Sequence, residues 1–335
     1  SFASSARRRG RATIAPWANA RGNGAAGGVS RQFASQARRR GVTRASAAPP
    51  AVHRFRLRQG RQRQLGDEIL DRLGRRLREA EYDVAVDLQG LIQSALIARF
   101  SGARRTVGYA RKACREGLAA FFYRGRVLPT GVHVAEKHLD VARALGATDV
   151  SLDCWMPAGE PEGMLPEAPF VLASPFAGWR SKQWPLTNYA NLARMLAKEL
   201  DVRLVLNVAE ADLERVRELP HVHAQATSIR GLIHATRMAA AVVGVDSGPL
   251  HLAAALKKRG VALFGPTDHA RNGPVTGAFT VLREAGAVTT YKREDVESES
   301  MKSISPQAVF EALAPALVGG IPRTEPGPER KESVG

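Results

Sequence analysis

The chain has 335 residues, is 44% hydrophobic and carries a formal net charge of +17. That length holds two ordinary domains, and that composition excludes a wholly disordered chain. Two cysteines, Cys114 and Cys154, are too few for a disulfide scaffold or a four-cysteine zinc site, and no apolar run approaches the ~20 residues of a membrane-spanning helix.

The charge is unevenly spread. Residues 1–66 hold 15 Arg, no Lys and no acid, and the first acidic residue is Asp67. The remainder has 34 basic and 32 acidic residues, a near-neutral body for which no specific nucleic-acid partner is expected. Ala, Arg, Gly and Ser make up 43 of the first 66 residues, too little apolar surface to offset the entropy of ordering. The leader has three readings. It is Arg-rich and acid-poor like an organelle transit peptide. Alternatively, Arg7–Arg9 and Arg38–Arg40 hold phosphates of RNA or of anionic lipid. The favoured reading is a disordered or mistranslated stretch, because Arg without Lys looks like GC-rich codons read out of frame.

Periodicity begins near Asp67. Ile69, Leu70, Leu73, Leu77 and Ala80 make one face of an amphipathic helix. Residues 84–88 suit a buried strand, Gln89-Gly90 a turn, 91–100 a helix, 106–109 a strand and 134–145 a helix. Residues 67–157 are thus expected as one domain, and the Pro-, Gly- and Glu-rich stretch 158–169 as a linker. A second domain follows over 170–320. Its strands are expected at 170–173, 202–206, 241–245 and 261–264. Helices are expected at 187–200 capped by Thr187, 211–219, 228–239 capped by Ser228, 249–256, and a last one opened by Ser305-Pro306. Residues 321–335 read as a tail. Strands alternating with helices imply parallel, doubly wound sheets.

In such sheets ligands sit beyond the carboxyl ends of strands. After the strand at 170 comes Ser174-Pro175-Phe176-Ala177-Gly178-Trp179-Arg180-Ser181-Lys182-Gln183-Trp184-Pro185. Its small residues let backbone N–H groups approach an anion and Lys182 supplies a point charge; an ordinary loop with a surface lysine is the alternative. After the strand at 241 comes Asp246-Ser247-Gly248-Pro249-Leu250-His251. There a helix start favours an anion, with Ser247 and Gly248 as donors. Asp246 either caps the helix or orients a donor, and His251 is either a site residue or a satisfied core polar group. Asp212 or Glu210 accepts from ribose hydroxyls, or is a first-turn acid stabilised by the helix dipole. The chain has no G-x-S-x-G, no G-x-x-x-x-G-K-[ST] and no H-E-x-x-H. His221 and His223 lack a third clustered ligand, so no metal is expected.

Together these loops resemble glycosyltransferase family 9, the heptosyltransferases. The resemblance rests on 174–185 with Ser181-Lys182-Gln183-Trp184-Pro185, on Val243 to Leu256 and on Leu263-Phe264-Gly265-Pro266-Thr267-Asp268. Tyr82 to Ile92 fits as well, and Arg115 to Tyr123 resembles the heptosyltransferase I branch most. It implies a GT-B fold, two Rossmann-like doubly wound domains facing a cleft, with the N-terminal one incomplete. It also implies an inverting transfer that needs no metal or other cofactor. The donor would be ADP-heptose and the acceptor the Kdo of a lipid A precursor, reached from the cytoplasm by peripheral association with the inner membrane. By the same resemblance Ala177, Gly178 and Lys182 contact the diphosphate, Asp212 the ribose and Thr227 the adenine. Asp246, Ser247, Gly248 and His251 cradle the diphosphate and sugar, while Arg115 and Gln93 face the acceptor. The family's aspartate base belongs in a Gly-Asp loop after the first strand. Residues 1–66 contain no acid, and neither that strand nor that turn is expected in them. The leader therefore reads as replacing the domain's start through a shifted frame, leaving a chain that lacks turnover. The alternatives are an ADP-sugar-binding remnant and a protein that binds RNA or anionic membrane through its basic leader.

Overall fold

A computed structural model describes residues 12–14, 72–290 and 293–318. The chain divides into two compact units, Ser1–Trp155 and Met156–Gly335. Most of the expected leader and the tail from 321 lie outside the described residues.

The first unit carries a four-stranded parallel sheet: β1 (Ala12–Ile14), β2 (Val84–Val86), β3 (Arg105–Tyr109) and β4 (Gly125–Val127), ordered as in the chain. β1 corrects the expectation that no strand precedes Asp67, since Ala12–Ile14 pairs in parallel with Val84–Val86. Thr13 and Ile14 are β-branched, and a three-residue strand needs no longer apolar period to pair at an edge. The helix expected from Asp67 is described over 72–79, and helices follow at Ile92–Phe100 and Val134–Ala144. Val86, Val107, Tyr109 and Val141 form the main core of this unit. A smaller one joins Ala95 to Ala119, Ala120 and Tyr123.

The second unit is a six-stranded parallel sheet. Its strands are β5 (Phe170–Ser174), β6 (Arg203–Val208), β7 (Val222–Ala226), β8 (Ala241–Val245), β9 (Arg259–Phe264) and β10 (Ala278–Arg283). They lie in the order β10-β9-β8-β5-β6-β7. The chain moves outward from β5 through β6 to β7, then crosses back to place β8 on the other side of β5. That reversal puts a crevice between the carboxyl ends of β5 and β8. Both faces of the sheet are covered, as runs such as Phe170-Val171-Leu172-Ala173 require. Val171, Ala173, Leu204 and Val243 pack with Leu192 and Leu196 of the helix Leu186–Leu200, and with Val309 and Leu313 of the helix Pro306–Val318. Phe170, Leu172, Val205 and Val242 pack the opposite way, against Ala235 and Ala253. At Gly260 a Cβ would stand 1.8 Å from the Val242 carbonyl oxygen, so only glycine lets β9 lie this close to β8.

Three local expectations change. Thr187 is not the cap of its helix. Trp184 is buried, its indole N–H donating to the Ile304 carbonyl at 2.8 Å, and this fixes the entry so that Pro185 caps and Leu186 is already helical. The helix expected over 211–219 is a 3-10 turn, Glu210–Asp212, and a single turn, Glu214–Arg217; only Leu213, Val216 and Leu219 offer an apolar face before Pro220. The stretch 158–169 is no free linker. Glu160 pairs with Arg230, the Glu162 carboxylate accepts from the Ser228 N–H (2.7 Å) and hydroxyl (2.6 Å), and Arg237 donates to the Met156 carbonyl at 2.9 Å. These contacts strap it along the helix Ile229–Met238.

Candidate functional site

β5 and β8 are paired in register, with Ser174 opposite Gly244. The two loops that follow therefore start side by side, and the structure joins them. Lys182 Nζ lies 2.8 Å from Asp246 Oδ2, with the side chains only 17% and 7% exposed. His251 Nε2 lies 3.7 Å from the other carboxylate oxygen, and its own side chain is 36% exposed. Burial pushes the Asp246 carboxyl up, but the His251 contact and the Lys182 charge outweigh it and hold the pKa down at about 2.

Asp246 is thus the orienter of Lys182 and not a helix cap. The cap position of the helix Gly248–Ala255 belongs to Ser247, extended at φ −153° and making no side-chain capping bond. The Ser247 hydroxyl is buried and has no hydrogen-bond partner among the described residues. An unused hydroxyl and the free N–H groups of a helix start beside an ammonium form an arrangement suited to an oxyanion.

Lys182 is held on several sides. Its ammonium sits 4.4 Å from the Trp179 ring centroid, and two residues on, Trp184 packs edge-to-face on Tyr189 with centroids 4.8 Å apart. The loop is tied across by a later segment. Arg293 donates to the Gly178 carbonyl at 2.7 Å, Ser298 donates to the Ser181 carbonyl at 2.8 Å, and Arg180 pairs with Glu297 at 3.4 Å. The Ala177 carbonyl accepts from Gln183 at 3.0 Å. A Cβ on Gly178 would meet nothing within 4 Å among the described residues.

The other expected donor-side residues follow the neighbouring strands β6 and β7, on the same edge of the sheet. Asp212 pairs with Arg215 at 2.7 Å, and the Arg215 guanidinium lies 4.0 Å from the ring centroid of Phe176 in the Lys182 loop. The Thr227 hydroxyl donates to Asn207 Oδ1 at 2.9 Å, and the Gln225 amide donates to the same oxygen at 3.1 Å. Sequence reasoning gave no individual role to Phe176 or Asn207, which stand in the loops it read, and did not single out Gln225, Arg215 or the segment 293–298. The one visible signal was a buried asparagine inside the apolar run Leu204-Val205-Leu206-Asn207-Val208.

In the first unit, Gly90 stands at φ +68°, and a Cβ there would come 3.0 Å from the Cys114 Cα and 3.1 Å from the Arg115 nitrogen. Glu116 clamps the junction, its N–H donating to the Gly90 carbonyl (2.9 Å) and its carboxylate accepting from the Ile92 N–H (2.7 Å). Arg115 is thereby brought to the start of the helix that carries Gln93, and both residues are exposed. Among the described residues no group of three or more His, Cys, Asp or Glu side chains is placed to hold a metal. No helix among them is long and apolar enough to cross a membrane.

The strand order, with a cation and a helix start meeting where it reverses, defines an α/β domain of the Rossmann class. Residues 70–301 match the model of glycosyltransferase family 9 (heptosyltransferase), and the chain belongs to that family. It is 34% identical over 227 residues to lipopolysaccharide heptosyltransferase 1 of Pseudomonas aeruginosa, an alignment covering 62% of this chain and 60% of that protein. The chain therefore matches less than two thirds of that relative's length. Two solved structures share the fold. E. coli ADP-heptose LPS heptosyltransferase II superposes with a TM-score of 0.60 at 24% identity, over 76% of this chain and 82% of that one. E. coli heptosyltransferase WaaC with ADP gives 0.57 at 22%, over 73% and 76%. Two successive parallel α/β domains of this kind are the GT-B architecture.

Proposed function

We propose that this chain is a lipopolysaccharide heptosyltransferase that binds ADP-heptose in its second unit and is built to pass the heptose, with inversion, to Kdo of a lipid A precursor. The observation that carries the reading is the 2.8 Å contact between Lys182 and Asp246 at the reversal of the strand order. ADP is a leaving group that gathers negative charge as the bond from the anomeric carbon to the phosphate oxygen breaks. Lys182, the Ser247 hydroxyl and the start of the helix Gly248–Ala255 are donors fixed in advance around the place where that charge develops. Asp246 orients Lys182, and Ala177 and Gly178 let the phosphates come close. Asp212 lies on the ribose side and Thr227 on the adenine side. Arg115 and Gln93, at the carboxyl end of the first unit's strands, suit an acidic sugar acceptor. The acceptor is carried on a lipid, so the enzyme works at the cytoplasmic face of the inner membrane without spanning it. Neither a metal nor another cofactor is invoked, because the fixed donors already answer the leaving group's charge.

As the new bond forms, the acceptor hydroxyl must lose its proton to a base on the far side of the sugar ring. Residues 1–66 contain no acid to take it. The experiment is calorimetric titration with ADP and ADP-heptose, followed by a transfer assay with Kdo-lipid A. Micromolar binding with no turnover is expected from this chain, and turnover from one whose start carries the family's Gly-Asp turn. Failure to bind ADP sinks the reading, and turnover by the chain as it stands sinks the assignment of the base.

A further inference from the structure

We propose that the 3-10 turn Gly117–Phe122 docks this chain on an anionic lipid bilayer, with Leu118 and Phe121 entering the interface and the surrounding basic residues meeting the headgroups. The idea rests on the reading above, in which the acceptor is lipid-borne, and it names the surface that meets the lipid.

The turn has two faces. Ala119 and Ala120 are buried against Ala95 of the helix Ile92–Phe100. Leu118 and Phe121 are three residues apart, so on a 3-10 helix their side chains eclipse along one edge. That edge is bare: Leu118 is 56% and Phe121 64% exposed.

The turn is also firmly seated, so these side chains are held outward. Tyr123 closes it, its hydroxyl donating to the buried Asp87 carboxylate at 2.6 Å. Thr106 donates to the Phe122 carbonyl at 3.2 Å, and Arg126 donates to the Ala120 carbonyl at 2.9 Å.

Charge selects the partner. Residues 111–126 contain Arg111, Lys112, Arg115, Arg124 and Arg126 against one acid, Glu116. The Glu116 carboxylate is hydrogen-bonded to the Ile92 N–H, and all five basic residues are exposed. A pair of protruding apolar side chains flanked in sequence by basic residues, of which Arg111 lies against Gly117 and Arg126 bonds the Ala120 carbonyl, matches an anionic membrane surface, where each basic residue adds about fivefold to the binding constant. A neutral surface would leave most of that charge unanswered. The position is apt as well, because Leu118 is only three residues past Arg115, the residue assigned to the acidic acceptor.

The test uses the full chain in flotation assays with vesicles of phosphatidylglycerol and phosphatidylethanolamine, and with phosphatidylcholine vesicles as the neutral reference. Neither kind contains the acceptor. The Arg-rich residues 1–66 are common to every variant, so differences between variants report the turn. Leu118→Ser with Phe121→Ser is expected to lower partitioning onto the anionic vesicles about tenfold or more. Met238→Ser, an equally exposed apolar site in the other unit, is expected to stay within twofold of the parent. Phe121→Trp is expected to add fluorescence quenching by brominated lipid chains beyond that of the native tryptophans. Unchanged partitioning of the double variant, or no added quenching at position 121, overturns the proposal. So does a parent dimer that the double variant splits with no change in vesicle binding. Should the double variant fold poorly, the quenching result decides. ADP titration on the same samples reads the donor site alone, so its failure is distinct from failure of the docking surface.

Discussion

Lys182→Met removes the cation at the strand-order reversal while keeping most of its stem. In the parent, Nζ is 2.8 Å from Asp246 Oδ2, and the carboxylate's other oxygen faces His251 at 3.7 Å. Two losses follow for a bound diphosphate. A charge-assisted hydrogen bond disappears, about 2 kcal/mol, or roughly 30-fold in Kd. The Asp246 charge also turns from compensated to bare. Two unit charges ~6 Å apart at an effective dielectric near 20 repel by about 3 kcal/mol, and the open rim of the site reduces this to roughly a further tenfold. Lys182→Met is therefore expected to weaken ADP about 300-fold in calorimetry at pH 7.5. Adding Asp246→Asn removes the bare charge, so the double variant is expected to bind about tenfold tighter than the single one. A double variant no tighter than Lys182→Met would refute the account of Asp246 as the partner that Lys182 neutralises. A single variant within threefold of the parent would refute the placement of the diphosphate.

The Asp246 pKa of about 2 lies below its unfolded value near 3.8, so its contribution is full above pH 4 and is lost as pH falls toward 2. That shift is worth about 2–3 kcal/mol, and urea denaturation of Asp246→Asn is expected to show a shallower acid loss than the parent; parallel curves would contradict the linkage. Gly260→Ala drives a Cβ to 1.8 Å from the Val242 carbonyl oxygen. A cost of more than about 3 kcal/mol is expected by urea unfolding, and a cost under 1 kcal/mol would mean that β9 can shift freely. Asp87 accepts from the Gln89 and Gly90 N–H groups, the Ser94 hydroxyl and the Tyr123 hydroxyl. Asp87→Asn puts an amide donor against one of these donors, so about 2–3 kcal/mol of local stability is expected to vanish, read as faster amide exchange over 84–123; unchanged exchange would remove Asp87 from that role.

Much of the second unit was legible because its central strands are buried on both faces. Ala241-Val242-Val243-Gly244-Val245 is an unbroken apolar run that ends in Asp-Ser-Gly-Pro, and such a run is bounded by its own chemistry. The strands that escaped notice are short or edge-like. β7, Val222–Ala226, has one fully buried residue among five, and β10, Ala278–Arg283, has none. Half-buried strands carry the polar residues of a loop, so composition cannot separate the two. The segment 293–298 has no apolar period at all, and its order comes from contacts with residues more than a hundred positions earlier, such as Ser298 to Ser181.

The site shows the same division. The residue types and their places after strands could be read from the chain, because a lysine in a loop of small residues and a serine before Gly-Pro mark where an anion fits. The role of Asp246 could not. Locally, Asp before Ser-Gly-Pro is an equally good helix cap, and nothing within ten residues separates capping from orienting. What separates them is Lys182, 64 positions away, and it arrives only because β8 crosses back to lie against β5. Ser247 then takes the cap position in extended conformation, which leaves the Asp246 carboxylate to the ammonium across the crevice. The chemistry of this acid is therefore a property of the strand order. A substitution that shifted β8 relative to β5, without touching Lys182 or Asp246, would abolish the pair as surely as removing either partner.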